Sequence, residues 1–325
     1  MGPGPLFSNL SALTRKNKLP GVRAALLMLA LLLGLAPAAR AQGDPPPLAF
    51  EAIDPSGGAD LVLARARHID LENVPLLPTV NGRTRATYAR GQALGRDPGG
   101  LSKVGDCNST EWLFLHAFGE GQYDLGPYTD LAGVIAQFEP ALARRTYAAY
   151  NGLNALALHD PLWANPAVCE PGESPLLCEI RVHNPAIAVI MFGTNDIVTI
   201  NPQQFDAGLR RAVAQSLAAG VVPLLSTFPR YLDHPDQSML YNQIVVRVAW
   251  DFGVPLLNLW RALEPLPNYG IAADGFHLNG PLTAAGDLAS SDNLQTGYPM
   301  RNLVTLQALD VLWRGLVDEP DEPDV

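Results

Sequence analysis

Ala186-Ile-Ala-Val-Ile-Met-Phe192 is an unbroken apolar run that stops at a glycine, Gly193. Its length suits a strand. It has no polar alternation, so both faces of that strand must be covered, as in a parallel sheet flanked by helices. Val221–Leu225 and Pro255–Leu259 read as further strands, and Leu101–Val104 as a short one. Helical segments fall between them. Phe205–Ala219 has helical periodicity and ends at Gly220, and Gln237–Phe252 stops at Gly253, each a suitable C-cap. Arg83–Leu94, Glu111–Phe118 and Tyr128–Phe138 also read as helices, and Arg96-Asp-Pro-Gly-Gly as a turn. Leu303–Leu316 repeats leucine at helical steps and closes the pattern. Alternating strands and helices define an α/β fold with a parallel sheet. A chain of 325 residues that is 48% apolar can bury one such core, or at most two.

In open parallel sheets, sites form beyond the C-terminal ends of the strands. Two polar motifs fall there. Gly105-Asp106-Cys107 follows Leu101–Val104, and Gly193-Thr194-Asn195-Asp196 follows the apolar run. A thiol is easily deprotonated by a neighbouring imidazole, so Cys107 is a candidate nucleophile; a small buried cysteine is the alternative. Asn195 can aim its amide at a developing oxyanion, or simply form an Asx-turn. A third motif, Asp274-Gly275-Phe276-His277, lies before the last helix. Asp274 can curl back to accept from Nδ1–H of His277, fixing the tautomer and freeing Nε2 as a base.

In this order the three motifs resemble blocks I, III and V of the SGNH, or GDSL-type, hydrolases. Cys107 stands where that family carries serine. The resemblance runs from about Leu101 to Val317 and implies a hydrolase-like domain over residues 101–317. It implies a flavodoxin-like three-layer α/β/α sandwich with a central parallel sheet. It also implies hydrolysis of ester-linked acyl groups on lipids, small molecules or glycans, with no cofactor. Cys107, Asp274 and His277 take the places of the catalytic triad. The oxyanion hole falls to the Cys107 backbone N–H, Asn195 and a block II glycine. Gly152 in Tyr150-Asn151-Gly152-Leu153 is the best match for that glycine, although a shifted register puts Ala155 there and a plain turn glycine explains it equally. Ser109 is the alternative nucleophile. O-acyl transfer on the same site, or a non-catalytic module binding a glycan or envelope partner, are the competing functions.

Arg15, Lys16, Lys18 and Arg23 precede the apolar run Ala24–Leu35, and Ala39-Arg40-Ala41 follows. This reads as a secretory signal peptide over residues 1–41, with an uncleaved anchor as the alternative. The expected protein is therefore extracellular or in the cell envelope, with no stable membrane insertion after cleavage. Removing the five basic residues of 1–41 from a formal charge of −10 leaves −15. That acidity argues against nucleic acid as partner. Residues 42–60 are Pro/Gly-rich and, with 61–100, read as linker and lead-in; the acidic residues 318–325 read as a disordered tail. In an oxidising compartment Cys169 and Cys178 can staple the Pro/Gly-containing loop between them, leaving Cys107 free. No spacing suits a zinc site, so no metal is expected.

Overall fold

The structure, a computed structural model, describes residues 59–110 and 112–317. The expected signal peptide, most of the linker and the acidic tail lie outside the described residues. Four parallel strands form the sheet: β1 (Asp97–Gly105), β2 (Pro185–Met191), β3 (Val222–Ser226) and β4 (Leu256–Leu257), in the order β1-β2-β3-β4. Every residue of β2 is buried, as its uniform apolarity requires. Helices flank the sheet, giving the expected three-layer α/β/α arrangement. The chain segment at Ala149 makes a parallel bridge to Gly105 on the free edge of β1. Gly105 N–H donates to the Ala148 carbonyl at 3.0 Å, and Tyr150 N–H donates to the Gly105 carbonyl at 3.3 Å. A fifth strand is thus reduced to one bridge, and β1 lies between it and β2. That position is the topological switch point of a flavodoxin-like sheet, where ligands bind.

Four local expectations are corrected. Arg96-Asp-Pro-Gly-Gly is not a free turn, because β1 already begins at Asp97. Its register shifts between Asp97 and Leu101. A Cβ on Gly100 would sit 2.9 Å from the Pro185 Cα, so glycine is what admits β2 here. Glu111–Phe118 is not one helix. Helices span Cys107–Thr110 and His116–Gly119, and between them Leu115 turns left-handed at φ 65°. Asn302 explains the break: its side chain accepts from Leu115 N–H at 3.0 Å and donates to the Leu113 carbonyl at 2.9 Å. The strand expected over Pro255–Leu259 keeps only two residues. Asn258 ends it by capping the next helix and donating to the carbonyls of Leu71 and Val74. Those bonds also show that the lead-in is built into the core, where Leu63, Leu71 and Val74 are buried. The expected boundary at residue 101 falls inside β1.

Cys169 and Cys178 form a disulfide with 5.3 Å between their Cα atoms. The stretch between them is not all loop, since the helix Pro175–His183 begins within it under a Ser174 cap. Thiol titration of denatured, unreduced protein is expected to find one free thiol, and a count of three would refute the bridge. Removing the bridge by Cys169→Ser with Cys178→Ser should lower stability by roughly 2–3 kcal/mol in chemical denaturation, because the unfolded chain regains the freedom of a short closed loop. Among the described residues, no helix is long and apolar enough to cross a membrane.

Candidate active site

Gly105 ends β1, and after Asp106 the chain turns into the short helix Cys107–Thr110. This turn carries the half-buried Cys107 to the C-terminal edge of the sheet. Gly193 does the same after β2. A Cβ at Gly193 would lie about 2 Å from the Phe228 ring, so only glycine permits that exit. Asn195 follows at the start of the short helix Asp196–Thr199. Asp196 is fully buried and ties the motifs together. Its carboxylate accepts from Gly193 N–H at 2.9 Å and from Ala155 N–H at 2.7 Å. Ala155, the alternative block II residue, is thereby committed to Asp196, while Gly152 lies in the cleft with φ 82°.

Cys107, Gly152, Asn195 and His277 line one cleft of about 460 Å³, with Phe276 and Tyr298 among its walls. Asp274 and His277 form the pair that their spacing promised. Nδ1 of His277 lies 2.7 Å from Asp274 Oδ2, and Asp274 Oδ1 accepts from the backbone N–H groups of Phe276 and His277. Burial acts upward on the Asp274 carboxyl, but these bonds, led by that from His277, hold it below the usual range. Ser109, the alternative nucleophile, opens on a neighbouring cavity, and its hydroxyl accepts from Arg301 at 3.2 Å.

The Cys107 thiol corrects an expectation. It is not lowered beside the imidazole. Burial, with the adjacent Asp106 carboxyl second, pushes it up to about 12. Asn195 opposes this through a side-chain hydrogen bond to the sulfur, together with backbone N–H donors. Asp106 is itself fully buried, and burial raises its carboxyl to about 6 against the pull of Arg301. The resting site therefore holds a neutral thiol.

Sequence reasoning missed Asn108 and Arg301. Asn108 is wholly buried between all three motifs. Its Oδ1 accepts from Leu278 N–H at 3.2 Å and from the Tyr298 hydroxyl at 3.4 Å, and its Nδ2 donates to Thr194 Oγ1 at 3.4 Å. Arg301, from the helix Gly297–Val317, donates to the Asn108 carbonyl and stacks over Phe114 at 3.6 Å. An asparagine directly after the nucleophile position was the available signal; nothing local marked Arg301. Asn108→Ala is expected to lower kcat/KM by about tenfold to a hundredfold, since it frees the His277 loop from the Cys107 loop. It should also cost about 1–3 kcal/mol in urea denaturation, because Leu278 N–H is left buried and unpaired.

Residues 119–281, half of the chain, match the GDSL-like lipase/acylhydrolase family. The chain belongs to this family of ester-bond hydrolases. The matched segment holds Gly152, Asn195, Asp274 and His277 and begins after Cys107. Comparison with curated proteins gives no match. Among solved structures, the chain is similar to a catalytic mutant of an acetylxylan esterase from Geobacillus stearothermophilus: 16% identity, TM-score 0.43, covering 66% of this chain and 94% of that one. It is similar to the lipase/acylhydrolase from Enterococcus faecalis at 18% identity and TM-score 0.36, covering 51% of this chain and 74% of that one. A GDSL-like lipase from Bacteroides thetaiotaomicron aligns at 14% identity and TM-score 0.40, covering 74% of this chain and 98% of that one.

Proposed function

We propose that this protein is an exported ester hydrolase in which cysteine replaces the family's serine. The observation that carries the reading is the shared cleft of Cys107, Gly152, Asn195 and His277, with His277 oriented by Asp274 at 2.7 Å. His277 Nε2 takes the thiol proton as Cys107 Sγ attacks the ester carbonyl. The carbonyl oxygen gains the negative charge and is held by the backbone N–H groups of Cys107 and Gly152 and by the Asn195 amide. The intermediate collapses, the alkoxide leaves with the proton from His277, and a thioester remains. Water, deprotonated by His277, then attacks the thioester. The acid departs, and the proton returns to sulfur. Export is supported by the basic and apolar leader and by a disulfide suited to an oxidising compartment.

Because the thiol is neutral at rest, its alkylation by iodoacetamide should rise with pH and show no plateau through about pH 10, unlike an ordinary thiol of pKa about 8.5. Mass spectrometry of acid-quenched turnover should find the acyl group on the peptide carrying Cys107. Acyl on Ser109, or a plateau near pH 8, would overturn the assignment. Acyl transfer to an added sugar in preference to water would convert the reading to an acyltransferase. Absence of turnover on every ester would favour a binding module.

A further inference from the structure

A second cavity of about 460 Å³ adjoins the cleft and shares Asn151 with it. Its lining concentrates positive charge in a chain that is acidic as a whole. Lys103, Arg144 and Arg145 border it beside His116, and among the described residues no carboxylate does. Lys103 comes from the middle of β1 and is 93% buried, being 7% exposed. Its Nζ donates to the Leu142 carbonyl at 3.0 Å, and Glu179 acts on it through space. The Leu142 carbonyl and the charge of Glu179 offset the burial of this ammonium only in part, so a further acceptor would be favoured. The Tyr150 hydroxyl is a second unsatisfied group on the same wall: it is buried and, among the described residues, has no hydrogen-bond partner. Burial keeps it protonated, so it is a donor in waiting. Cys107 and Ser109 sit on one short helix, with Cys107 facing the cleft and Ser109 the basic cavity.

Resting on the hydrolase reading above, we infer that this cavity is an anion subsite, and that the protein's substrates are esters carrying a carboxylate or comparable anion on the acyl or the alcohol half. Lys103 and the flanking arginines supply the charge, and the Tyr150 hydroxyl supplies a directed donor. The anion anchors the substrate while its ester carbonyl reaches across Asn151 into the cleft. Burial lowers the Lys103 ammonium to about 8, with Glu179 opposing, so a bound anion would hold the proton more firmly.

Two matched pairs test this. One compares para-nitrophenyl pentanoate with mono-para-nitrophenyl glutarate, and the other compares acetylated methyl galactoside with acetylated galacturonate. At least one anionic member should exceed its neutral partner in kcat/KM by about tenfold, the worth of one charged hydrogen bond. Tyr150→Phe and Arg145→Ala should each lower that ratio by about threefold or more. Arg145 is exposed and the Tyr150 change removes only a hydroxyl, so neither threatens the fold. A response of the first pair assigns the anion to the acyl half, and of the second to the alcohol half. Ratios at or below one in both pairs, or ratios untouched by both variants, would overturn the subsite. If no ester of either kind is turned over, the hydrolase reading has failed, and calorimetry decides the cavity separately. Glutarate or galacturonate binding that weakens in Tyr150→Phe would support the subsite, and no binding would overturn it.

Discussion

Cys107→Ala is expected to lower ester kcat/KM by at least about a thousandfold, while Cys107→Ser stays within about tenfold of the wild type. In the proposed mechanism the alanine loss follows from removing the one thiol that, among the described residues, lines the cleft with His277. The tolerance of serine follows from the state of the thiol. A cysteine that worked as a preformed thiolate could not be replaced by a hydroxyl without large loss. Here burial and Asp106 push the thiol up to about 12, so its proton must leave during attack. A serine hydroxyl makes the same demand of His277. The cost of the exchange is then geometric, because the smaller oxygen sits slightly farther from the carbonyl. Initial rates on a chromogenic acetate ester measure both variants. Full activity in Cys107→Ala, with loss in Ser109→Ala, would move the nucleophile to the basic cavity.

His277→Ala should cost about a thousandfold to ten-thousandfold in kcat, and Asp274→Asn about a hundredfold or more. In the proposed mechanism the imidazole carries the proton in both halves of the reaction, so its loss should stall acylation and deacylation together. Asp274 acts through it. The carboxylate accepts at 2.7 Å from Nδ1, whereas an asparagine presenting its amide N–H there would select the wrong tautomer and leave no base facing Cys107. The two variants should not add, since both remove one proton-transfer unit. Asp274 is held below the ordinary carboxylate range, so the pair keeps its charge until the pH falls through that depressed value. Asp274→Glu, which retains the charge but shifts the oxygen, should recover only part of the loss. Equal rates in wild type and Asp274→Asn would mean that His277 is oriented by something else.

The features that needed only neighbouring residues were legible in the chain. The β2 run is apolar throughout because both its faces are covered, and that composition is readable without knowing what covers it. The Asp274–His277 bond spans three residues of one loop, so spacing and chemistry suffice to foresee it. Where sequence reading went astray, the deciding partner lay far along the chain. Residues 111–118 hold a helical pattern, yet Asn302 takes their backbone groups and turns the chain at Leu115. The Arg96–Gly100 stretch has turn chemistry, yet β2 packs against it and draws it into β1. The thiol shift is of the same kind, since the burial of Cys107 and the charge of Asp106 act only once the core has closed around them. So is the basic cavity, whose Lys103 and Arg144 look like scattered surface charges until β1 and the Tyr150 loop stand side by side. Local bonding and periodicity were determined by the sequence itself. Charge environment, and the choice between competing backbone partners, were decided by tertiary structure, because desolvation and long-range hydrogen bonds exist only after distant segments have met.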